Sequence, residues 1–247
     1  MSPEAGMNLW IADSAEAADR EAALRITKQV LQKPDSLIGL ATGDTTAPLF
    51  DWVVKLHEQL GVDYSQVRTC NLDEYVGVAA QAPESCRFRI NERLLSRINI
   101  RMENTYVPDG MAASPQKELE HFQSLVRRWG GIDFQVLGVG SNGHIAFNEP
   151  GTPFESTYRL APISDGTKKA KAAMFGGEQN VPHTGISMGI RDIMMARRIL
   201  LVAKGKHKAA AIRSAVHGPL TTEAPASILM MHPCVDVVID REAASML

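Results

Sequence analysis

The chain has little with which to staple or chelate. Its three cysteines, Cys70, Cys86 and Cys234, are odd in number, far apart and include no CxxC pair. That argues against a disulfide framework and against a cysteine-rich zinc site. Isolated thiols of this kind most often pack as small apolar groups, and a nucleophilic Cys86 is the alternative. Excess charge of either sign is lacking too. Lys and Arg number 26 and Asp and Glu 28, for a formal net charge of -2. A partner such as nucleic acid or an anionic membrane would favour a basic chain, so neither is expected. No apolar run approaches the roughly 20 residues of a membrane span. The start, MSPEAGMNLW, shows no basic segment leading into an apolar one, so no secretion signal is expected and the cytoplasm is the default compartment.

Several catalytic signatures are also missing. There is no HExxH, no GxxxxGK[ST] phosphate loop, and no GxSxG at the strand ends discussed below. GVGSNG, residues 138–143, has the letters of GxGxxG, but it sits mid-chain and His144 would crowd a pyrophosphate.

What is present is an ordinary globular balance of 45% hydrophobic and 22% charged residues. A chain of 247 residues can bury about 75% of its unfolded surface, enough for a core without staples. Helical and strand patterns alternate along it. Helices are predicted over Ala15 to Lys33, Ala47 to Gln59, Glu84 to Ile98, Ser114 to Gly130, and in KHKAAAIRSAV after Gly205. Strands are predicted over 36–42, 67–72, 132–140 and 197–205, and two short apolar runs, ASILMMH and CVDVVID, close the chain. Strands separated by helices imply βαβ units and a mostly parallel sheet in one domain spanning residues 1–247. Residues 151–182 read as a long irregular stretch, either an active-site lid or a plain surface insertion.

Ligands of open parallel sheets bind outside the carboxyl ends of the strands. Three such ends carry unusual residues. In ATGDTTAP, a strand runs through Thr42 and Gly43 into Asp44, Thr45 and Thr46 and then a helix, a natural anion site or else an ordinary turn. In NLDEYVGV, Asp73 and Glu74 are adjacent acids, a costly arrangement unless one is paired or functional. In GVGSNGHIAFNEP, Gly138, Gly140 and Gly143 precede or flank His144, with Asn142, Asn148 and Glu149 close by. A histidine whose tautomer is held by a carboxylate is the minimum apparatus for proton transfer near neutral pH. Asp73, His144 and Glu149 are also a conceivable metal set, but without a second histidine at helical spacing no metal is expected.

Taken together, TGDTTAP, NLDEYVG and GVGSNGHIAFNEPG resemble the glucosamine-6-phosphate deaminase family. The resemblance continues through NVPHTGISMGIRDIMMARRILLVAKGKHKAAAI, PASILMMHP and VIDREAA, and so covers nearly all the chain from about residue 37. The sister 6-phosphogluconolactonases share the fold but typically lack the NEP ending and the DEY sequence. The resemblance implies a three-layer, Rossmann-like α/β fold with a lid over 151–182. It also implies conversion of glucosamine 6-phosphate to fructose 6-phosphate and ammonia, a step of N-acetylglucosamine degradation, without a cofactor. It assigns ring opening to His144, oriented by Glu149 and Asn142, and proton transfer between C2 and C1 to Asp73. It places the phosphate on Thr42, Gly43, Asp44, Thr45 and Thr46, with Gly140 beside the sugar and Lys208 closing over the site.

Three positions depart from the family pattern. Asn142 stands where many members have Asp. Asp44 stands where a small residue such as Gly is usual, and a carboxylate there repels phosphate unless it points away. Ala173 stands where the family commonly places a phosphate-binding arginine, which leaves Lys168, Lys169 or Lys171 to substitute. Three alternatives follow: a galactosamine-6-phosphate deaminase/isomerase, a lactone hydrolase, and a non-catalytic sugar-phosphate-binding regulator on the same fold, against which the intact Asp73, His144 and Glu149 argue. Because regulated members carry a further segment after VIDREAA, simple non-cooperative kinetics without an N-acetyl-sugar activator are expected. The oligomeric state, a homo-oligomer included, is left open.

Overall fold

A computed structural model describes residues 6–247. In chain order its regular elements are β1 (Gly6–Ala12), α1 (Ala15–Gln32), β2 (Leu37–Leu40), α2 (Ala47–Leu60), β3 (Arg68–Asn71), β4 (Asp73–Tyr75), α3 (Cys86–Arg93), β5 (Thr105–Tyr106), α4 (Pro115–Arg128), β6 (Phe134–Gly138), β7 (Arg159–Pro162), α5 (Asp165–Lys171), β8 (Thr184–Ser187), α6 (Ile190–Met194), β9 (Ile199–Ala203), α7 (Ala209–His217) and β10 (Cys234–Asp240). Seven strands form one sheet in the order β1-β10-β9-β6-β2-β3-β5, and every pairing in it is parallel. The expected mostly parallel α/β sheet is therefore what the chain builds.

Buried strands explain the layers. Leu200 and Val202 of β9 point into one core, while Ile199, Leu201 and Ala203 point into the other. The first core takes its helical side chains from α1, α2 and α3, including Ile26, Phe50, Val53 and Ile90. The second takes Leu119, Phe122 and Val126 of α4 and Ile212 of α7. The sheet is thus covered on both faces, as βαβ crossovers require.

Local sequence sets the helix starts. Ser14, Ser85 and Ser114 each accept a hydrogen bond from a backbone N–H of the first turn, at Ala17, Phe88 and Lys117. Pro115 follows its cap at the first helical position, as expected.

Two expectations need correction, and two segments left without an assigned element take a definite form. The helix predicted over Glu84 to Ile98 ends at Arg93, and Leu95–Arg97 form a separate 3₁₀ turn. Leu94 and Leu95 are both buried, and adjacent residues of a regular helix point about 100° apart, so the backbone breaks between them to seat both. The apolar run ASILMMH lies in a 3₁₀ helix, Pro225–Met231. The segment DEY is a strand, β4, in a second, antiparallel sheet of order β4-β8-β7. Finally, residues 151–182 are not irregular throughout. They contain β7, α5 and a 3₁₀ turn, Glu178–Asn180. Strand β7 anchors this segment to β8, so only the part around α5 stands clear of the small sheet.

Candidate active site

The chain passes to one side of β2 through β3 and β5 and to the other through β6, β9 and β10, so the order reverses between β2 and β6. Crevices at such a reversal are where ligands of open α/β sheets bind. The carboxyl ends of the neighbouring strands β9, β6, β2 and β3 deliver Lys208, the 138–150 loop, the 41–46 loop and Asp73. Between them lies a cavity of about 220 Å³ lined by Thr42, Asp73, Gly140, His144, Lys171 and Lys208, among others.

The 41–46 loop is shaped by Thr46, which is buried. Its hydroxyl donates to the Ala41 carbonyl at 2.8 Å and accepts from the Gly43 N–H at 3.1 Å. That hydroxyl is spent inside the loop rather than held out to a ligand. The Thr42 hydroxyl accepts from the Asn71 side chain and so keeps its own proton to donate. Gly43 and Thr45 also line the cavity. Asp44 turns outward. Its carboxylate lies 2.7 Å from Arg89 Nη2 and 3.1 Å from Lys171 Nζ.

Asp73 is buried at the start of β4, just past the carboxyl end of β3, and burial, then the adjacent Glu74 charge, push its carboxyl up to about 7. Glu74 points the other way along the strand. Its Oε1 accepts from the N–H groups of Tyr75 and Cys86 at 2.8 and 3.0 Å, and its Oε2 from Arg87 at 3.0 Å. A buried acid thus sits on the first turn of α3, where backbone N–H groups lack partners. This contact also seats Cys86 beside the base, its Sγ 3.8 Å from Asp73 Oδ1. Burial, reinforced by both carboxylates, raises the Cys86 thiol well above its ordinary value. It is a neutral thiol, which disfavours the nucleophile reading.

His144 faces the same cavity. Its Nδ1 lies 3.5 Å from Glu149 Oε2, close for an ion pair and long for a hydrogen bond. Asn142 and Glu149 stand behind it and do not line the cavity. Asn142 donates to Glu149 Oε2 at 2.9 Å, accepts from the His144 N–H at 3.2 Å, and so ties the turn to the acid. Thr167 of α5 donates to the other Glu149 oxygen. Burial alone would raise Glu149, but His144, Thr167 and Asn142 outweigh it and bring it down to about 2. Glu149 is therefore a permanent anion held against the imidazole.

Two backbone features make the turn possible. A Cβ on Gly140 would sit 2.3 Å from His144 Nδ1, so the ring can lie here only against glycine. Ala146 has φ 50°, the left-handed region that a side chain disfavours by roughly 1 kcal/mol. Asn148, buried, holds that strained corner by donating to the carbonyls of Ile145 and Met188, both at 3.0 Å.

Lys208 enters from a 3₁₀ turn, Lys206–Lys208, just before α7. The turn is fixed at Gly205, whose N–H donates to both Asp240 oxygens at 3.0 and 3.1 Å. Burial, then the neighbouring Lys171 charge, lower the Lys208 ammonium. Of the lysines expected to replace an arginine at Ala173, Lys171 reaches the cavity and Lys168 and Lys169 do not line it. Thr167 and Arg89 went unremarked in the sequence, and Cys86 was considered there only as a nucleophile, not as a neighbour of Asp73. Each lies within a predicted helix or in the 151–182 stretch, with no local motif to single it out. Among the described residues, no three histidine, cysteine, aspartate or glutamate side chains converge as a metal ligand set would. No helix among them is long and apolar enough to cross a membrane.

Comparison with known proteins places this geometry. A profile of the family described as glucosamine-6-phosphate isomerases/6-phosphogluconolactonase matches residues 11–238. The glucosamine-6-phosphate deaminase of Halothermothrix orenii is 40% identical over 241 residues, 98% of this chain and 100% of that protein. That of Geobacillus sp. strain WCH70 is 41% identical over 240 residues, 97% of this chain and 96% of that protein. Among solved structures, a monomeric glucosamine-6-phosphate deaminase superposes with a TM-score of 0.95 at 36% identity, covering 98% of this chain and 100% of the other. The 6-phosphogluconolactonase of Trypanosoma brucei superposes with a TM-score of 0.78 at 18% identity, covering 97% and 98%, a likeness of fold.

Proposed function

Because this chain belongs to the glucosamine-6-phosphate isomerase/6-phosphogluconolactonase family, we propose that it is a glucosamine-6-phosphate deaminase, converting glucosamine 6-phosphate to fructose 6-phosphate and ammonia. One observation carries the reading. A carboxyl group poised near neutrality, Asp73, and an imidazole backed by a permanent anion, His144 with Glu149, face one small cavity that Lys208 also enters. Two proton-transfer groups of different character suit a reaction that needs two different proton transfers.

In this reading, the phosphate lies on the backbone and Thr42 hydroxyl of the 41–46 loop, under Lys208. His144 moves a proton between the ring oxygen and the anomeric hydroxyl, opening the sugar, with Asn142 and Glu149 fixing its orientation. Asp73 takes the proton from C2 and returns it to C1. Water then adds at C2, the amine is protonated, and ammonia leaves as the C2 carbonyl forms. Positioned proton transfer of this kind is typically worth 10²–10⁴-fold per step. No step requires a cofactor. The segment around α5 acts as a lid, since Thr167, Ala170 and Lys171 all border the cavity. A cytoplasmic site of action suits a sugar-phosphate substrate.

The test is ammonia release from glucosamine 6-phosphate, beside galactosamine 6-phosphate and 6-phosphogluconolactone. Preference for glucosamine 6-phosphate is expected. Turnover confined to either of the other two would replace the reading.

A further inference from the structure

Asp44 lies at a border. On one side is the cavity of about 220 Å³ that holds Lys171 and Lys208, and on the other a cavity of about 640 Å³ that holds Arg89. Its side chain is 80% exposed, yet its two partners are largely covered, Arg89 at 20% and Lys171 at 24%. An exposed carboxylate thus occupies cations that have little solvent of their own. Lys208 has no ion-pair partner among the described residues, and it shares the smaller cavity with Lys171. Two ammonium groups face this cavity, which Asp73 also lines, and among the described residues the one carboxylate within ion-pair distance of either is Asp44.

This inference rests on the phosphate position given above. We propose that Asp44 is a resident stand-in for the substrate's phosphate, and that Lys171 is handed from Asp44 to that phosphate on binding while Arg89 retains Asp44. Three observations carry it. Lys171 is the lid cation that borders the cavity, and Ala173 offers none. Asp44 has a second partner, at the shorter distance of 2.7 Å against 3.1 Å, so losing Lys171 does not leave it unpaired. Arg89 borders the other cavity, so it draws the carboxylate away from the incoming dianion. Asp44 therefore lowers affinity for phosphate, and Arg89 limits how far it does so.

The experiment is calorimetric titration of the full chain with inorganic orthophosphate, which reads the subsite without turnover. Exposed ion pairs are worth up to about 1 kcal/mol, or about five-fold in affinity. Asp44→Asn is expected to tighten orthophosphate about three- to five-fold. Arg89→Met weakens it by a similar factor, and the double variant binds like Asp44→Asn, because Arg89 acts only through Asp44. Lys171→Met weakens binding about ten-fold, and adding Asp44→Asn restores little of it. Unchanged or weaker binding in Asp44→Asn overturns the proposal, as does a double variant that follows Arg89→Met. Absence of orthophosphate binding by the unaltered chain overturns it too. Asp44 is exposed, and melting curves on each variant check folding. Ammonia release from glucosamine 6-phosphate is scored separately, so a chain that binds orthophosphate as described but deaminates nothing refutes the functional reading alone.

Discussion

A single carboxyl group shows how function and stability oppose each other at the scale of a residue. Asp73 is held up to about 7 from an ordinary 3.8, first by burial and then by Glu74. As a base it must be ionised, so kcat/KM for glucosamine 6-phosphate is expected to climb with pH through about 7 on its acid side. A profile flat from pH 5 to 8 would count against Asp73 as the base. The same shift has a sign for folding. A raised folded-state value contributes stability that is fully present below about pH 3.8 and is lost as pH rises through about 7. Asp73→Asn escapes that loss. The variant should be inactive yet gain stability over the parent between about pH 4 and 8, by up to roughly 4 kcal/mol, measured by urea unfolding at each end. Gly140 gives a second residue-scale prediction. Gly140→Ala drives a methyl into the His144 ring, and a misplacement near 1 Å costs about 10²-fold in kcat. An unchanged kcat would show that the ring has another place to lie. Asp73, His144, Glu149 and Asn142 were all legible because each sits in a short motif at a strand end. Arg89 was not, since its partner Asp44 is 45 residues away and only the fold brings them together.

At the scale of elements, the central parallel strands β2, β3, β6 and β9 and the longer helices were readable, and β1 and the small sheet were not. β4 has three residues, and its pairing with β8 joins residues more than a hundred positions apart, which no local pattern announces. β1 is exposed along Leu9, Trp10 and Ile11 and shows no alternation to mark it. The junction between β4 and α3 rests on Glu74. Glu74→Leu would strand two buried N–H groups and one half-buried one, at a cost of about 3 kcal/mol, visible as an early urea midpoint. The segment proposed as a lid is held by aromatic contact. Phe175 meets Tyr75 edge-on, ring centres 5.1 Å apart, and Tyr75 meets Phe147 at 5.0 Å. Phe175→Ala removes about 1 kcal/mol of such contact from the lid alone. KM should rise about five-fold while the melting temperature barely moves. A large fall in melting temperature would instead make this segment part of the core.

For the whole molecule, the site takes every group described here from one chain. Specific activity should therefore be independent of protein concentration, down to dilutions at which any assembly of copies would dissociate. Activity per chain that falls on dilution would show that a second copy completes the site. Net charge is only -2, so attraction of an anionic substrate is local to Lys171 and Lys208 rather than a property of the surface.

The sheet order also carries a schedule. β1 is made first, yet its neighbour is β10, whose own other neighbour is β9. On the ribosome, the segment bearing Leu9, Trp10 and Ile11 must wait for some 220 further residues before its pairing strand exists. At about 5–20 residues per second, that is on the order of 10–45 s. Throughout that interval, an apolar edge-forming segment has no strand to pair with. A holdase would find its client there, and a stalled transcript would leave behind a fragment prone to aggregate.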